Sequence, residues 1–336
     1  MALIEVTKKG LYCPQADLFI DPWRAVPKAL ITHAHSDHAR SGNGLYLAHE
    51  HCVPILKSRL GRIQAQGYGY GMPFSCNGVR ISFHPAGHVP GSAQIRLEWK
   101  GEVWVVSGDY KLEDDGLTTP YEPVKCHHFI TESTFALPIY RWRPQQQIFD
   151  EMNHWWAMNA AEGRTSVIMA YSLGKAQRIL KHLNRQIGPV LVHPAVEEMN
   201  SVVRSMLPAL PETIPWQINQ LPGDHRKALL FVPPGAADSW LEPFRPYSVA
   251  FVSGWMNLRG AGKRFASDRG FVLSDHADWP GLLEAIEATE AERIYVTHGY
   301  TASLVRWLKE QGREAFPLKT LYDGEAEAAA GWMQNL

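Results

Sequence analysis

Between Thr32 and His38 the chain places three imidazoles and a carboxylate within six positions, His33-Ala34-His35-Ser36-Asp37-His38, directly after the apolar run Ala29-Leu30-Ile31. Imidazole nitrogens and carboxylate oxygens are the usual donors to zinc and similar divalent ions. With 15 His and 13 Asp among 336 residues, the pattern His-x-His-x-Asp-His arises by chance about once in a thousand such chains. The segment is therefore read as a chelating turn at a strand end, and it constrains how the rest of the chain can be arranged.

Further donors occupy the same kind of position. Strand-like runs end at Asp21 (Leu18 to Ile20), at Gly87-His88 (Val79 to Phe83) and at Gly108-Asp109 (Val103 to Val106). Others end at Glu132 (Phe129 to Thr131), at Asp275-His276 (Phe271 to Ser274) and at His298-Gly299 (Ile294 to Thr297). Loops at one edge of a stacked sheet can converge on a single point. Gly87, Gly91, Gly108 and Gly299 permit tight turns beside a ligand. His49, His51, His84, His127, His128, His154, His182, His193 and His225 lack this setting and read as surface or packed histidines.

A length of 336 residues predicts two domains, or one large domain with an insertion. Hydrophobic residues at 45% and aromatics at 11% exclude a disordered chain. The opening segment carries Glu5, Lys8 and Lys9 and does not read as a secretory leader. No apolar run approaches the roughly 20 residues that span a bilayer. Cys13, Cys52, Cys76 and Cys126 are scattered, which predicts reduced thiols in a cytoplasmic protein rather than a disulfide frame. A net charge of −1 excludes an indiscriminate polycation. From Asp150 to Arg269, 13 Lys plus Arg oppose 10 Asp plus Glu, so the middle is mildly basic and the His-rich remainder acidic.

The first part of the chain reads as β-rich. Gln94 to Trp99 alternates, Lys100-Gly101-Glu102 turns, and Val103 to Val106 returns, which predicts a hairpin. His127 to Thr131 is a further short strand. Composition shifts around Pro138 to Pro144. An amphipathic helix is predicted over Gln145 to Ala161, a strand over Thr165 to Ala170 and a helix from Lys175 to Gln186. A strand over Pro189 to His193 and a helix over Pro194 to Leu207 follow. That alternation implies a parallel sheet with right-handed crossovers. After Phe271 the first style returns, with helices over Pro280 to Thr289 and Ala302 to Gln311 and an Ala-rich tail near Glu325 to Ala330.

These motifs resemble the metallo-β-lactamase superfamily over essentially the whole chain. His33-Ala34-His35-Ser36-Asp37-His38 matches its signature, Asp21 its first motif, His88 its third and Asp109 in Gly108-Asp109-Tyr110 its fourth. Glu132 in Thr131-Glu132-Ser133-Thr134, His276 in Ser274-Asp275-His276-Ala277-Asp278 and His298 in Thr297-His298-Gly299 are similar to the β-CASP branch, nucleases with a second domain inserted in the first. Ala170 to Gln177 resembles the start of that insertion. The compact chain is most similar to bacterial DNA-ligase-associated exonucleases.

The resemblance implies an α/β protein: an αββα sandwich over residues 1–144 and 271–336, with a β-CASP α/β domain inserted over 145–270. It implies two divalent metal ions, zinc or manganese. One would be held by His33, His35 and His88, the other by Asp37, His38 and His298, with Asp109 bridging them. Two such ions suit in-line displacement at phosphorus by a shared water ionised near neutral pH. His276 would be the general acid, with Asp275 beside it as a rival proton carrier. Glu132 would orient His276, and Asp21 would fix a ligand loop or a ligand N–H.

For substrate, the turn Ser172-Leu173-Gly174-Lys175 suits a phosphate through Ser172, Gly174 and Lys175, or is a plain helix cap. Arg259-Gly260-Ala261-Gly262-Lys263-Arg264 is a basic, flexible segment that flanks the cleft, or a solvated loop; Arg141-Trp142-Arg143 combines cations with a stacking surface for unpaired bases, or is a domain-junction anchor. Trp155-Trp156 reads as core. The expected activity is a two-metal DNA exonuclease of repair, with DNA ligase or helicase partners implied by the resemblance. An RNA-processing nuclease of the same branch is the alternative, and a catalytically silent nucleic-acid-binding subunit a further one. A diiron redox enzyme and a small-molecule hydrolase fit less well: the first usually has Glu where this chain has His35, and the second does not need the insertion.

Overall fold

A computed structural model describes residues 2–216, 225–235, 240–258 and 267–320. The basic run at 259–264 and the Ala-rich segment at 325–330 lie outside the described residues. The chain divides into two compact units, Met1–Arg141 with His276–Leu336, and Trp142–Asp275.

The first unit contains two sheets. One runs in order Glu5–Thr7, Gly10–Cys13, Leu18–Ile20, Lys28–Leu30, Leu45–His49 and Ala65–Tyr68. Its first three strands are antiparallel neighbours and the remaining pairs are parallel. The other sheet runs Glu314–Pro317, Arg293–Gly299, His128–Ser133, Glu102–Val106, Ala93–Trp99, Val79–Pro85 and Phe74–Cys76. The predicted hairpin is present, with Trp99 paired to Glu102. Lys100 at φ 52° and Gly101 at φ 82° both adopt the left-handed conformation that a tight two-residue hairpin turn demands.

Alternation in the strands sets the layers. Leu18, Ile20, Leu30 and Leu47 of the first sheet pack against Ile81, Phe83, Ile95, Leu97, Trp104, Val106 and Ile130 of the second. The opposite face of the second sheet presents Val103, Val105, Phe129, Ile294 and Val296. These are covered by Leu282, Ala285 and Ile286 of the helix Trp279–Ala288 and by Leu304, Val305 and Leu308 of the helix Thr301–Glu310. The helix Cys52–Leu60 buries Cys52, Val53, Ile55 and Leu56 beside Leu45–His49 and Ala65–Tyr68. Each Val, Leu, Ile or Phe side chain among them contributes about 1.5–3 kcal/mol when taken from water.

The described residues of the second unit form one sheet, in order Ile214–Pro215, Val190–Val192, Leu229–Val232, Thr165–Met169, Tyr247–Val252 and Arg269–Phe271, with every described pair parallel. Its central strands are near-continuous apolar runs, as strands covered on both faces must be. Among the described residues its α-helices are Gln145–Ala161, Lys175–Lys181 and Pro194–Met206. The second is shorter than its pattern predicted. Asn153 donates to the His182 carbonyl and accepts from Asn184 N–H, which gives the chain side-chain partners in place of another turn. The strand predicted over Phe271 to Ser274 instead ends at Phe271. The Ser274 carbonyl accepts from Arg178 Nη1 at 2.6 Å rather than from a neighbouring strand. All four cysteines are free thiols, and no helix among the described residues is long and apolar enough to cross a membrane.

Candidate metal centre

The strands Val79–Pro85, Glu102–Val106, His128–Ser133 and Arg293–Gly299 point the same way, since Ala93–Trp99 is antiparallel to the first two and the others pair in parallel. Phe83, Ile95, Val106, Ile130 and Tyr295 form one cross-sheet row. His88, Asp109, Glu132 and His298 lie a few residues beyond it, all at one edge. Glu132 is not past its strand, as its apolar run suggested, but within it. Between the pairs Thr131–Val296 and Ser133–Gly299 the register shifts, so Thr297 and His298 oppose Glu132 alone. This bulge, with His298 at φ 59°, re-aims His298. Ser133 Oγ secures it, its one proton shared between the Thr297 and His298 carbonyl oxygens at 3.0 and 2.6 Å.

The first sheet delivers its donors in a similar way. Leu18–Ile20 and Lys28–Leu30 are parallel neighbours. Asp21 and the segment from Thr32 therefore emerge together, and the Thr32 carbonyl accepts from Ala93 N–H at 2.8 Å, joining this edge to the second sheet. Gly108, at φ 58°, has no room for a side chain: a Cβ there would stand 2.6 Å from Thr32 Cβ. Gly299, at φ 95°, is equally constrained, with the Ser133 carbonyl oxygen 2.4 Å from its absent Cβ.

The donors from both edges meet. Ligand atoms of His33, His35, His88 and Asp109 all lie within 4.8 Å of one another, as do those of Asp37, His38 and His298, and those of Asp109, Glu132 and His276. His35 Nδ1 is 3.1 Å from both His33 Nε2 and His88 Nε2. Asp109 Oδ2 is 3.6 Å from His33 Nε2, 3.9 Å from His88 Nε2 and 3.5 Å from His38 Nε2. Asp37 Oδ2 is 3.7 Å from His38 Nε2 and 4.0 Å from His298 Nε2. Donors around a tetrahedral zinc ion, each about 2.0–2.1 Å from it, are roughly 3.3 Å apart. The spacing is that of coordination-sphere edges, and Asp109, a member of the first group, also reaches His38 of the second.

The electrostatics suit a cation. Burial, reinforced by neighbouring imidazoles, holds His33 well below its ordinary pKa, so the ring is neutral and its lone pair available. Burial opposes charge on His38 as well, yet Asp109, Asp37 and Asp21 together raise it to about 10. The carboxylates thus demand positive charge at this point. Asp109 Oδ1 is buried and receives no hydrogen bond from any described residue, a costly arrangement unless a cation compensates it. The donor set therefore fits two divalent ions.

Beside these groups, Glu132 Oε2 accepts from His276 Nδ1 at 2.8 Å, and the His276 ring lies 4.7 Å from that of His88. Burial alone would raise the Glu132 carboxyl, but His276, Thr134 and the Tyr110 N–H hold it below its usual value. Asp21 Oδ2 accepts from His38 Nδ1 at 2.8 Å, and Asp21 Oδ1 from Thr32 N–H at 2.8 Å. The contributions of Thr32, Ser133 and Thr134 escaped the sequence reading, because an isolated hydroxyl carries no spacing signal.

In the second unit, Gly174 N–H donates to Gln177 Oε1 at 2.8 Å, closing the start of a seven-residue helix. Ser172 is half-buried, Gly174 and Lys175 are buried, and Lys175 Nζ lies 3.8 Å from Asp275 Oδ2 and 4.9 Å from the centre of the Tyr171 ring. Asp275 Oδ1 also accepts from Arg178 at 3.3 Å. Asp275 is therefore an ion-paired carboxylate.

An α/β protein with a paired cluster of imidazole and carboxylate donors at its sheet edges is the class that fold and site define. No family model matches the chain. It is 29% identical to a probable DNA ligase of Opitutus terrae over 317 residues, covering 92% of this chain and 30% of that one. It is 30% identical to endoribonuclease ysh-1 of Neurospora crassa over 35% of this chain and 14% of that one. With cleavage and polyadenylation specificity factor subunit 3 of Dictyostelium discoideum it shares 29% identity, over 31% of this chain and 13% of that one. The chain thus spans about a third or less of the length of these curated relatives. A solved protein of unknown function from Enterococcus faecalis V583 superposes with a TM-score of 0.57 at 12% identity, covering 88% of this chain and 79% of that one, a likeness of fold alone. The chain is a relative of the β-CASP nucleases of the metallo-β-lactamase superfamily.

Proposed function

We propose that this chain is a two-metal phosphodiesterase that removes nucleotides from an end of DNA during repair, with zinc as its metal. The observation that carries the reading is the position of Asp109 Oδ2 between His33 and His88 on one side and His38 on the other. Divalent ions bound there would offset charge growing on the phosphoryl oxygens and lower the pKa of water between them. His33, His35 and His88 would hold one ion, and Asp37, His38 and His298 the other, with Asp109 shared. His276 would give a proton to the departing oxygen, steadied in its imidazolium form by Glu132. Asp21 would keep His38 in the tautomer that turns Nε2 toward Asp109.

DNA is favoured because the ligase-named relative matches 92% of this chain, whereas endoribonuclease ysh-1 and the cleavage and polyadenylation factor subunit match 35% and 31%. That relative, in which the matched part is 30% of the length, also supports a DNA ligase as the working partner. The endoribonuclease relative is the specific observation behind an RNA-processing alternative. The test is digestion of end-labelled single- and double-stranded DNA, and RNA of the same sequence, across zinc, manganese and magnesium. Stepwise shortening of DNA is expected. Preferential cutting of RNA would transfer the assignment to the alternative, and intact strands in every metal would overturn both.

A further inference from the structure

Thr32 is fully buried and packs against Gly108. Its hydroxyl is 2.5 Å from Asp21 Oδ2 and 3.1 Å from His33 Nδ1. A hydroxyl has one proton to give, and the carboxylate can only accept. The proton therefore goes to Asp21, and the hydroxyl oxygen accepts from His33 Nδ1–H. This fixes the His33 tautomer with Nε2 carrying the lone pair, on the side of His35 Nδ1 at 3.1 Å and Asp109 Oδ2 at 3.6 Å. Asp21 Oδ2 also takes the His38 Nδ1–H directly. One carboxylate thus orients an imidazole in each donor group, one by contact and one through a hydroxyl.

We propose that Thr32 is a positioning residue for the metal centre: its hydroxyl relays the hold of Asp21 to His33, so that one buried carboxylate aligns the donors of both ions. The inference rests on the two-metal reading above. Partners that fix a ligating imidazole are worth about 10–100-fold in metal affinity. The same backbone serves the device, since Thr32 N–H donates to Asp21 Oδ1 and that bond survives any substitution but proline.

The test is a zinc titration of the metal-stripped full chain against a chromophoric chelator, with melting curves for each variant. Wild type is expected to bind two equivalents. T32V keeps the shape and loses the hydroxyl, and is expected to bind one of the two equivalents at least tenfold more weakly. T32S and T32A both lack the methyl group and differ in one oxygen, so they decide the matter should T32V fail to fold: serine is expected to bind that equivalent at least tenfold more tightly than alanine. Wild-type affinity for both equivalents in T32V, or equal affinities in T32S and T32A, would overturn the role of Thr32 and leave the metal centre standing. Fewer than two equivalents in wild type would instead overturn the two-metal reading itself.

Discussion

Glu132 Oε2 stands 2.8 Å from His276 Nδ1, two buried residues 144 positions apart in the chain. On the proposed reading this pair orders a proton donor beside the donor cluster, so its removal should be felt in turnover more than in folding. E132Q keeps an acceptor for Tyr110 N–H but loses the charge facing His276. We expect E132Q and H276A each to lower cleavage of a natural phosphodiester about 10²-fold or more. A nitrophenyl phosphodiester, whose leaving group needs no proton, should suffer much less. Equal losses on the two substrates would contradict the proton-donor role.

Asp109 should be unfavourable without metal and indispensable with it. A buried carboxylate oxygen with no donor costs about 1–3 kcal/mol. D109N should therefore melt at an equal or higher temperature than wild type after chelation, and at a lower one in zinc, while cleavage falls about 10³-fold or more. Urea or thermal melts with and without chelator check this inversion. The same order of stability under both conditions would contradict it.

Gly108 turns the chain from the strand Glu102–Val106 into Asp109 where a side chain has no space. The clash with Thr32 and the left-handed backbone should make G108A about 2 kcal/mol less stable than wild type. Zinc affinity should fall with it, because Thr32 and Asp109 move together. A stable G108A with full zinc content would show that this turn tolerates a side chain and would contradict the account.

His49 gives a pH dependence separate from the metal cluster. It stacks on Tyr70 at 3.5 Å, and burial, helped by His51, lowers its pKa to about 4 from 6.5. Because the folded value lies below the unfolded one, the unfolded chain takes up the proton first. Stability linked to His49 is complete above about pH 6.5 and is lost as pH falls toward 4, by about 1–3 kcal/mol. Denaturation midpoints of metal-stripped wild type and H49F between pH 4 and 7 should therefore converge or cross on acidification. Parallel curves would contradict the assignment.

Much of this was legible in the sequence because it is local. The Lys100-Gly101 turn fixes its hairpin, and the apolar runs of the second unit lead to a parallel sheet. The histidines of the His33 to His38 segment come to one place with His88, Asp109 and His298, because strands that share a direction end at one edge. What the sequence concealed depends on distant partners. No periodicity marks the bulge that places His298 opposite Glu132, since it exists only in the pairing of two strands. The helix that ends at Lys181 looked longer because Asn153, on another helix, supplies its final partners. The approach of Asp275 to Lys175, a hundred positions earlier in the chain, likewise carries no local signal.

The most direct measurement is anomalous diffraction from crystals of the full chain grown with zinc. Two peaks are predicted, one touching His33, His35 and His88 and the other Asp37, His38 and His298, with Asp109 within bonding distance of both. A single peak, or two peaks with Asp109 bound to neither, would contradict the account.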